Sequence, residues 1–474
     1  MMDHPRRQIL IAIAAGMLLI GASAWAATPS AKPNIVIMFI DDMGYGDIGP
    51  FDNQLNQTPH LDRMAEEGNV LTQFYVANTA CTPSRAALLT GAYAHRIGMD
   101  GGKLSVTFPG DNRGLNPDEI TLAEMLRENG YATGCFGKWH LGDQPQFMPL
   151  AQGFDTYFGI PYSNDMWPLH TRPNPITKRK YEPLPVMKQN KAVAHVADGV
   201  DQSLLAEAIT DEAIAFIKKN QKQPFFCYIP HAHVHMPRYA RPEYLERAEG
   251  NVDRAQVEEV DDSIGRVLQT LKDLKLDPNT LVIFTSDNGA AEGMSSGALR
   301  GGKGGPKYEG HMRVPTLAWW PGTIPGGTTT KEIGVTTDLL PTLAKLTGAK
   351  VPDDRIIDGK DITDLLLGKK DARSPHQLHF YENEGIRRGD WKLVKKGAKR
   401  ELYNLSKDLG EKNDLSGNHP ELVEELDRAL QKHASSIAAN SRPAGLANNP
   451  KPILQEAGNL PSLKKYIADN HSNP

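Results

Sequence analysis

The sequence predicts a doubly wound, mainly parallel α/β domain with a smaller C-terminal antiparallel sheet plus helix. Three observations point there. Short apolar runs rich in β-branched and aromatic residues are continuous rather than alternating, as in strands buried on both faces of a sheet. Helix-like stretches lie between them, the alternation expected of an α/β domain. Beyond residue 375 the pattern changes to closely spaced short strands followed by one helical segment.

In chain order, Ile35–Ile40, Phe225–Ile229 and Leu281–Thr285 are the continuous apolar strands, and Ala132–Phe136 is a further strand-like segment. Thr121–Arg127 followed by Gly130, Leu204–Lys219 and Ala255–Leu274 have helical spacing. From Val351 to Ser374 the chain is charged and punctuated by Pro352, Gly359 and Gly368, a passage to a second unit. There Gln377–Glu382, Trp391–Val394 and Glu401–Leu405 form an expected meander, and Pro420–Ala434 an expected helix. The Pro- and Asn-rich stretch from Asn440 is expected to wrap the surface or fray. The expected units are a leader at 1–26, a catalytic domain at 27–375, a small subdomain at 376–440 and an extension at 441–474.

The leader follows from Arg6 and Arg7, an apolar run from Ile9 to Ala24, and Ala24-Trp25-Ala26 as a small-x-small cleavage pattern. It implies the export machinery as a partner and a periplasmic or secreted protein cleaved after Ala26. The apolar run is short for a spanning helix and is interrupted by Gly16, Gly21 and Ser23, which argues against a stable membrane anchor. The formal net charge is −4, and removal of Arg6, Arg7 and Asp3 with the leader makes it one unit more acidic. That balance does not suggest nucleic acid or an anionic membrane. Of three cysteines, Cys81, Cys135 and Cys227, one is left over however the others pair, which marks a reactive thiol in an exported chain.

Cys81 is the candidate. It immediately precedes Thr82-Pro83-Ser84-Arg85-Ala86-Ala87-Leu88-Leu89-Thr90-Gly91, with Pro83 suited to a first helical turn, Thr82 or Ser84 able to cap amides, and Gly91 suited to a stop. A helix N-terminus attracts anions and lowers the pKa of a nearby thiol. A buried structural cysteine is the competing reading.

Ligands of open α/β sheets bind outside the carboxyl ends of the strands, and the predicted strands end in ionisable residues. Asp41-Asp42 follow Ile40, Asp287-Asn288 follow Ser286, His231, His233 and His235 follow Pro230, and Lys138-Trp139-His140 follow Gly137. One acidic pair reads as a solvated turn. Two such clusters, each terminating a buried strand, supply the hard oxygen donors that suit Ca²⁺, with Mg²⁺ as the alternative. The three histidines would share a face for zinc only if the strand continued, and Pro230 and Pro237 argue that it has become loop. Lys303 lies in the glycine-rich Arg300–Gly305 loop, which lets backbone approach a ligand. A metal, two lysines and a helix N-terminus together would stabilise a compact oxyanion.

These residues closely resemble the type I sulfatase family, in its arylsulfatase A-like branch. The resemblance rests on Cys81-Thr82-Pro83-Ser84-Arg85 with Leu88–Gly91, Gly137–Gly142, Gly159–Asp165, Ser286–Gly289 and Gly302-Lys303-Gly304. Ile386–Leu393 and Leu402–Leu405 resemble the family's small second domain. The resemblance implies an alkaline-phosphatase-like fold and sulfate monoester hydrolysis of a sulfated small molecule or glycan. It implies that Cys81 is converted to formylglycine by a formylglycine-generating or anaerobic sulfatase-maturating enzyme. By the same likeness Asp41, Asp42, Asp287 and Asn288 bind Ca²⁺ with residue 81, and Arg85 and His140 orient the nucleophile. Lys138, Ser163 and Lys303 hold the sulfate, and His235 with Lys303 protonates the departing oxygen. Glu309-Gly310-His311 departs from the family pattern, which usually has a second glycine there. A phosphonate monoester or phosphodiester hydrolase is the enzymatic alternative, and a non-catalytic Ca²⁺ and sulfated-glycan binder the alternative of another class.

Overall fold

The computed structural model describes Met1 and residues 32–100, 104–451, 453 and 460–471. The leader expected at 1–26 falls outside these apart from Met1. Ten strands form one sheet, in the order Thr328–Thr330, Asn69–Leu71, Leu317–Trp319, Thr280–Ser286, Asn34–Ile40, Phe225–Pro230, Ala132–Lys138, Thr156–Ile160, Leu184–Lys188 and Lys191–Val196. The five from Thr280–Ser286 to Thr156–Ile160 are mutually parallel. Antiparallel strands extend the sheet on both sides.

Asn34–Ile40 is the centre, wholly buried and paired along its length with Thr280–Ser286. Its side chains alternate between two cores, as a strand's period of two requires. Ile35, Ile37 and Phe39 join the core under the helix Cys81–Thr90, and Val36, Met38 and Ile40 join the core under the helices Leu205–Asn220 and Val252–Asp273. Coverage on both faces is why the strand is apolar from Ile35 to Ile40. Each fully buried Leu or Ile contributes roughly 1.5–3 kcal/mol of burial free energy. The same alternation separates two cysteines: Cys227 pairs with Gly134, so its neighbour Cys135 points to the opposite face. All three cysteines are free thiols.

The expected helices form at Leu122–Glu128, Leu205–Asn220 and Val252–Asp273. Thr121 caps the first in a reciprocal box with Glu124. The meander is four-stranded rather than three-stranded: His379–Tyr381, Gly385–Arg388, Trp391–Lys396 and Lys399–Asn404 pair in sequence. The helix Pro420–Ala439 lays Leu426 and Leu430 on Ile386, Leu393 and Leu402. Near the C-terminus, Gly445–Leu446 pairs with Arg113–Gly114, so this part of the chain returns to the large α/β unit. Among the described residues no helix is long and apolar enough to cross a membrane.

Candidate active site

All five central parallel strands deliver polar residues at their carboxyl ends, and the helix Cys81–Thr90 begins beside them. Register does the first part of the work. Ile40 lies opposite Ser286, so the chain leaves both strands together and the Asp287 amide donates to the Ile40 carbonyl at 2.9 Å. The Asp42 amide in turn donates to Asp287 Oδ1 at 3.1 Å. Asp42 and His140 hold left-handed backbone, with φ of 66° and 60°. Such conformations are costly for non-glycine residues and persist where surrounding structure over-determines them.

Cys81 is the first residue of its helix and is 2 % exposed. Its Sγ lies 3.3 Å from Asp41 Oδ1, 3.8 Å from Asn288 Oδ1 and 3.4 Å from Lys303 Nζ. Asn288 Nδ2 donates to Asp42 Oδ1 at 2.8 Å, and Lys303 Nζ reaches the same oxygen at 2.6 Å. Lys138 is fully buried, ion-paired with Asp41 and donating to Ser163 Oγ at 3.1 Å. Arg85, equally buried, donates through Nε and Nη2 to Asp287 Oδ2 at 3.1 and 2.7 Å and through Nη1 to the Lys138 carbonyl at 2.9 Å. His235 Nε2 stands 3.6 Å from Asp42 Oδ2, while its Nδ1 meets the Met236 carbonyl. His140 Nε2 meets the Thr107 carbonyl at 3.1 Å, and its Nδ1 is buried without a partner.

Two expectations at Cys81 are overturned. Neither Thr82 nor Ser84 caps the helix; its N-cap is Ala80, without a side-chain bond. Thr82 Oγ1 is drawn instead to the His140 carbonyl at 2.8 Å, tying the helix start to a neighbouring strand end. The thiol is also not activated. Burial pushes the Cys81 pKa up, and the carboxylates of Asp287 and Asp41 add to this beyond what Lys138 and Lys303 return.

The histidines separate. His231 Nε2 pairs with Ser263 Oγ at 2.9 Å and His233 Nε2 faces Glu259 at 3.6 Å, both buried, so only His235 reaches the acidic cluster. The strand ends at Pro230, which is why the three do not share a face. Thr107, whose carbonyl fixes His140, left no signal in the sequence because no motif surrounds it. The departure at His311 has a clear packing role. Its ring fills the space beneath the glycine loop, where a Cβ on Gly301 would come within 1.9 Å of it.

The charges here are mutually adjusted. Despite burial, Lys138, His235 and Arg85 hold the Asp41 carboxyl well below the usual range, and Lys303 and His235 hold that of Asp42 down against its own burial. Burial and the charge of Asp41 push Asp287 up to about 7. Burial and Lys303 lower His235, and burial with Lys138 and Arg85 lowers His140. Lys303 is raised, since burial is outweighed by the attraction of Asp42 and the other anionic groups around it. Asp41, Asp42 and Cys81 with His235 bring ligand atoms within 4.8 Å of one another. Asp287 is not in that group, its Oδ2 accepting from Arg85 and its Oδ1 from the Asp42 amide, but with Asp41, Asp42 and Asn288 it makes a buried, oxygen-rich surround whose chemistry fits a hard divalent cation. Arg85, Lys138 and Lys303 already balance the three carboxylates, so a bound dication would make the site net positive and suited to an anion. The side chains of Lys303 and His235 are 27 % and 13 % exposed, against 0–2 % for the acidic residues and Arg85. The site therefore opens to solvent on their side.

Comparisons with known proteins point to one family. Residues 33–349 match the family described as Sulfatase, and residues 306–437 match the C-terminal region of N-sulphoglucosamine sulphohydrolase. The chain is 37 % identical to human arylsulfatase A, covering 95 % of each protein. It is 38 % identical to the N-acetylgalactosamine-6-sulfatase of Canis lupus familiaris, over 78 % of this chain and 72 % of that one. The crystal structure of the PsFucS1 sulfatase from Pseudoalteromonas sp. superposes with a TM-score of 0.77 at 25 % identity, covering 87 % of this chain and 92 % of that one.

Proposed function

Because the chain belongs to the sulfatase family and is a sulfuric ester hydrolase, we propose that it cleaves sulfate monoesters of the arylsulfatase type, with residue 81 as formylglycine and Ca²⁺ in the acidic cluster. The observation that carries this reading is the state of Cys81. It is buried at the centre of the charged groups in the site, 3.3 Å from Asp41 Oδ1, 3.8 Å from Asn288 Oδ1 and 3.4 Å from Lys303 Nζ, where a nucleophile formed from it would face both the acidic cluster and the lysines. Converted to the aldehyde and hydrated, residue 81 would offer two geminal hydroxyls, one to attack sulfur and one to expel sulfate by re-forming the aldehyde. A Ca²⁺ held by Asp41, Asp42, Asp287 and Asn288 would supply Lewis-acid charge neutralisation.

The chain's own residues then take these parts. Arg85 fixes Asp287 and, through the Lys138 carbonyl, the strand end that presents Lys138. His140, held through Nε2 by the Thr107 carbonyl, keeps a buried Nδ1 without a partner, which would accept the nucleophile's proton. Lys138 with Ser163, and Lys303 from the other side, bind sulfate oxygens and offset charge in the transition state. His235 and Lys303 stand on the open side, where the organic leaving group must emerge, and protonate its oxygen. The biological setting we infer is export to the periplasm or beyond, after conversion by a formylglycine-generating or anaerobic maturase. A sulfated small molecule or glycan is the substrate.

Mass spectrometry of the tryptic peptide Met64–Arg85, from protein produced beside a competent maturase, is expected to show the aldehyde. An intact thiol would count against the mechanism. Parallel assays on an aryl sulfate, an aryl phosphate diester and a phosphonate are expected to favour the sulfate; faster cleavage of a phosphorus ester would replace the sulfatase reading. His235→Ala is expected to slow alkyl sulfates by roughly 10²–10³-fold and an activated phenyl sulfate by less than about tenfold, since only the poor leaving group needs the proton. Equal losses on both esters would leave His235 a binding role alone.

A further inference from the structure

Lys303 sits in the six-residue stretch Gly301–Pro306, four of whose members are glycine. Such a loop has little intrinsic preference for one conformation, and a Cβ at Gly304 would touch nothing within 4 Å. Its amides make two bonds toward the catalytic domain, Lys303 to the Ala290 carbonyl at 2.7 Å and Gly304 to the Thr79 carbonyl at 3.3 Å. The Gly301 carbonyl also accepts from Ser296 Oγ at 2.6 Å, and much of what holds the flanks of the loop lies in the C-terminal unit.

On the upstream side, the Arg300 guanidinium donates to the Glu411 carbonyl at 2.6 Å and to the Tyr403 hydroxyl at 3.2 Å, and lies 3.7 Å from the centre of the Tyr308 ring. On the downstream side, Lys307 pairs with Glu382 at 2.9 Å and donates to Thr79 Oγ1 at 3.0 Å. Tyr308 donates to Glu401 at 2.6 Å, and the Glu309 amide donates to the Glu411 carboxylate at 2.6 Å. Glu382, Glu401, Tyr403 and Glu411 all belong to the four-stranded sheet or its adjoining turns.

From this arrangement we propose that the C-terminal sheet positions Lys303 for the reaction, with Arg300 as the principal positioning residue acting through the loop. A rigid ammonium placement matters because displacing a catalytic group by about 1 Å costs on the order of 10²-fold in rate. The inference rests on the role assigned above to Lys303 at the sulfate, and its test is separable from that role.

The test is a double-mutant cycle of Arg300→Met and Lys303→Ala, read as kcat and KM on whichever ester the wild-type protein hydrolyses fastest. Choosing the ester that way keeps loss of the sulfatase reading distinct from loss of this one. Arg300→Met is expected to lower kcat roughly tenfold in the wild-type background and less than about twofold in the Lys303→Ala background, with KM changing little in either. Arg300→Lys, which keeps a donor for the Glu411 carbonyl, is expected to recover at least about half of the lost rate. A general loss of folded protein would multiply both backgrounds equally. Equal factors in the two backgrounds, or unchanged kcat in Arg300→Met, would overturn the proposal. Should Arg300→Met not fold, the same cycle with Tyr403→Phe, which removes a single hydroxyl, decides the matter by the same criterion.

Discussion

Cys81→Ala is expected to lower ester hydrolysis on the order of 10⁵-fold while leaving the fold in place. The side chain removed is small and wholly enclosed, and the helix it begins is secured by Ala86, Leu88 and Leu89 in the core rather than by a cap. The stability cost should therefore be about 1 kcal/mol, the middle of the range for point substitutions. Cys81→Ser should behave differently. Its hydroxyl has the geometry to attack but no second hydroxyl to expel sulfate, so at most one equivalent should be turned over, with sulfate retained on the chain. Steady-state kinetics, a melting curve and intact mass on the two variants check all of this. Retention of more than about 1 % of wild-type activity in the alanine variant would mean that residue 81 is not the nucleophile.

The second large effect is on stability. Lys392 is wholly buried between two carboxylates, 2.9 Å from Glu309 Oε1 and 2.9 Å from Glu411 Oε1. Glu309 also accepts from the hydroxyls of Tyr75 at 2.7 Å and Tyr381 at 2.6 Å. Burial opposes its ionisation, but Lys392, Arg387 and Arg313 hold its pKa down; Glu411, buried and facing Glu309, is raised. Lys392→Met removes the cation that both acids share; Glu309 keeps the Arg313 guanidinium at 3.4 Å, while Glu411 loses its ion-pair partner. Breaking a buried ion pair in this way typically costs about 3–5 kcal/mol. A clear fall in the chemical-denaturation midpoint is expected, with partial recovery in Lys392→Met/Glu411→Gln. A midpoint equal to wild type would show that the triad contributes no net stability.

How far the sequence reached can be read from particular residues. Asn34–Ile40, Phe225–Pro230 and Thr280–Ser286 were legible because burial on both faces forces a continuous apolar run. Their polar termini were legible for the same reason: an ionisable residue directly after such a run has few structural uses. Thr156–Ile160 and the antiparallel pair Leu184–Lys188 and Lys191–Val196 left weaker signals, being near or at an edge with mixed composition. Gly385–Arg388 was obscured as a strand by its paired arginines, one of which, Arg387, turns inward to the Tyr75 hydroxyl. At the site, the resemblance implied the residues and their roles, and the spatial convergence of those residues follows from the register of parallel strands. The environment of each did not follow. Whether Cys81 is activated or suppressed depends on the balance of Asp41, Asp287, Lys138 and Lys303, contributed by strands and loops far apart in the chain. The clamp of the C-terminal sheet on the Lys303 loop is equally nonlocal, joining residues about a hundred positions apart.

The run Cys81 to Arg85 is buried in its entirety, in a helix closed by Gly91 and packed on the central sheet. A modifying enzyme that must grasp this run in extended form can reach it only before the chain has folded. If residue 81 is converted as proposed, the conversion would therefore fall before folding. A molecule that folds first would stay unconverted for as long as it remains folded. The specific activity of a preparation would accordingly record how maturation and folding competed in the cell that made it, and unfolding followed by refolding beside the maturase would be the way to raise it.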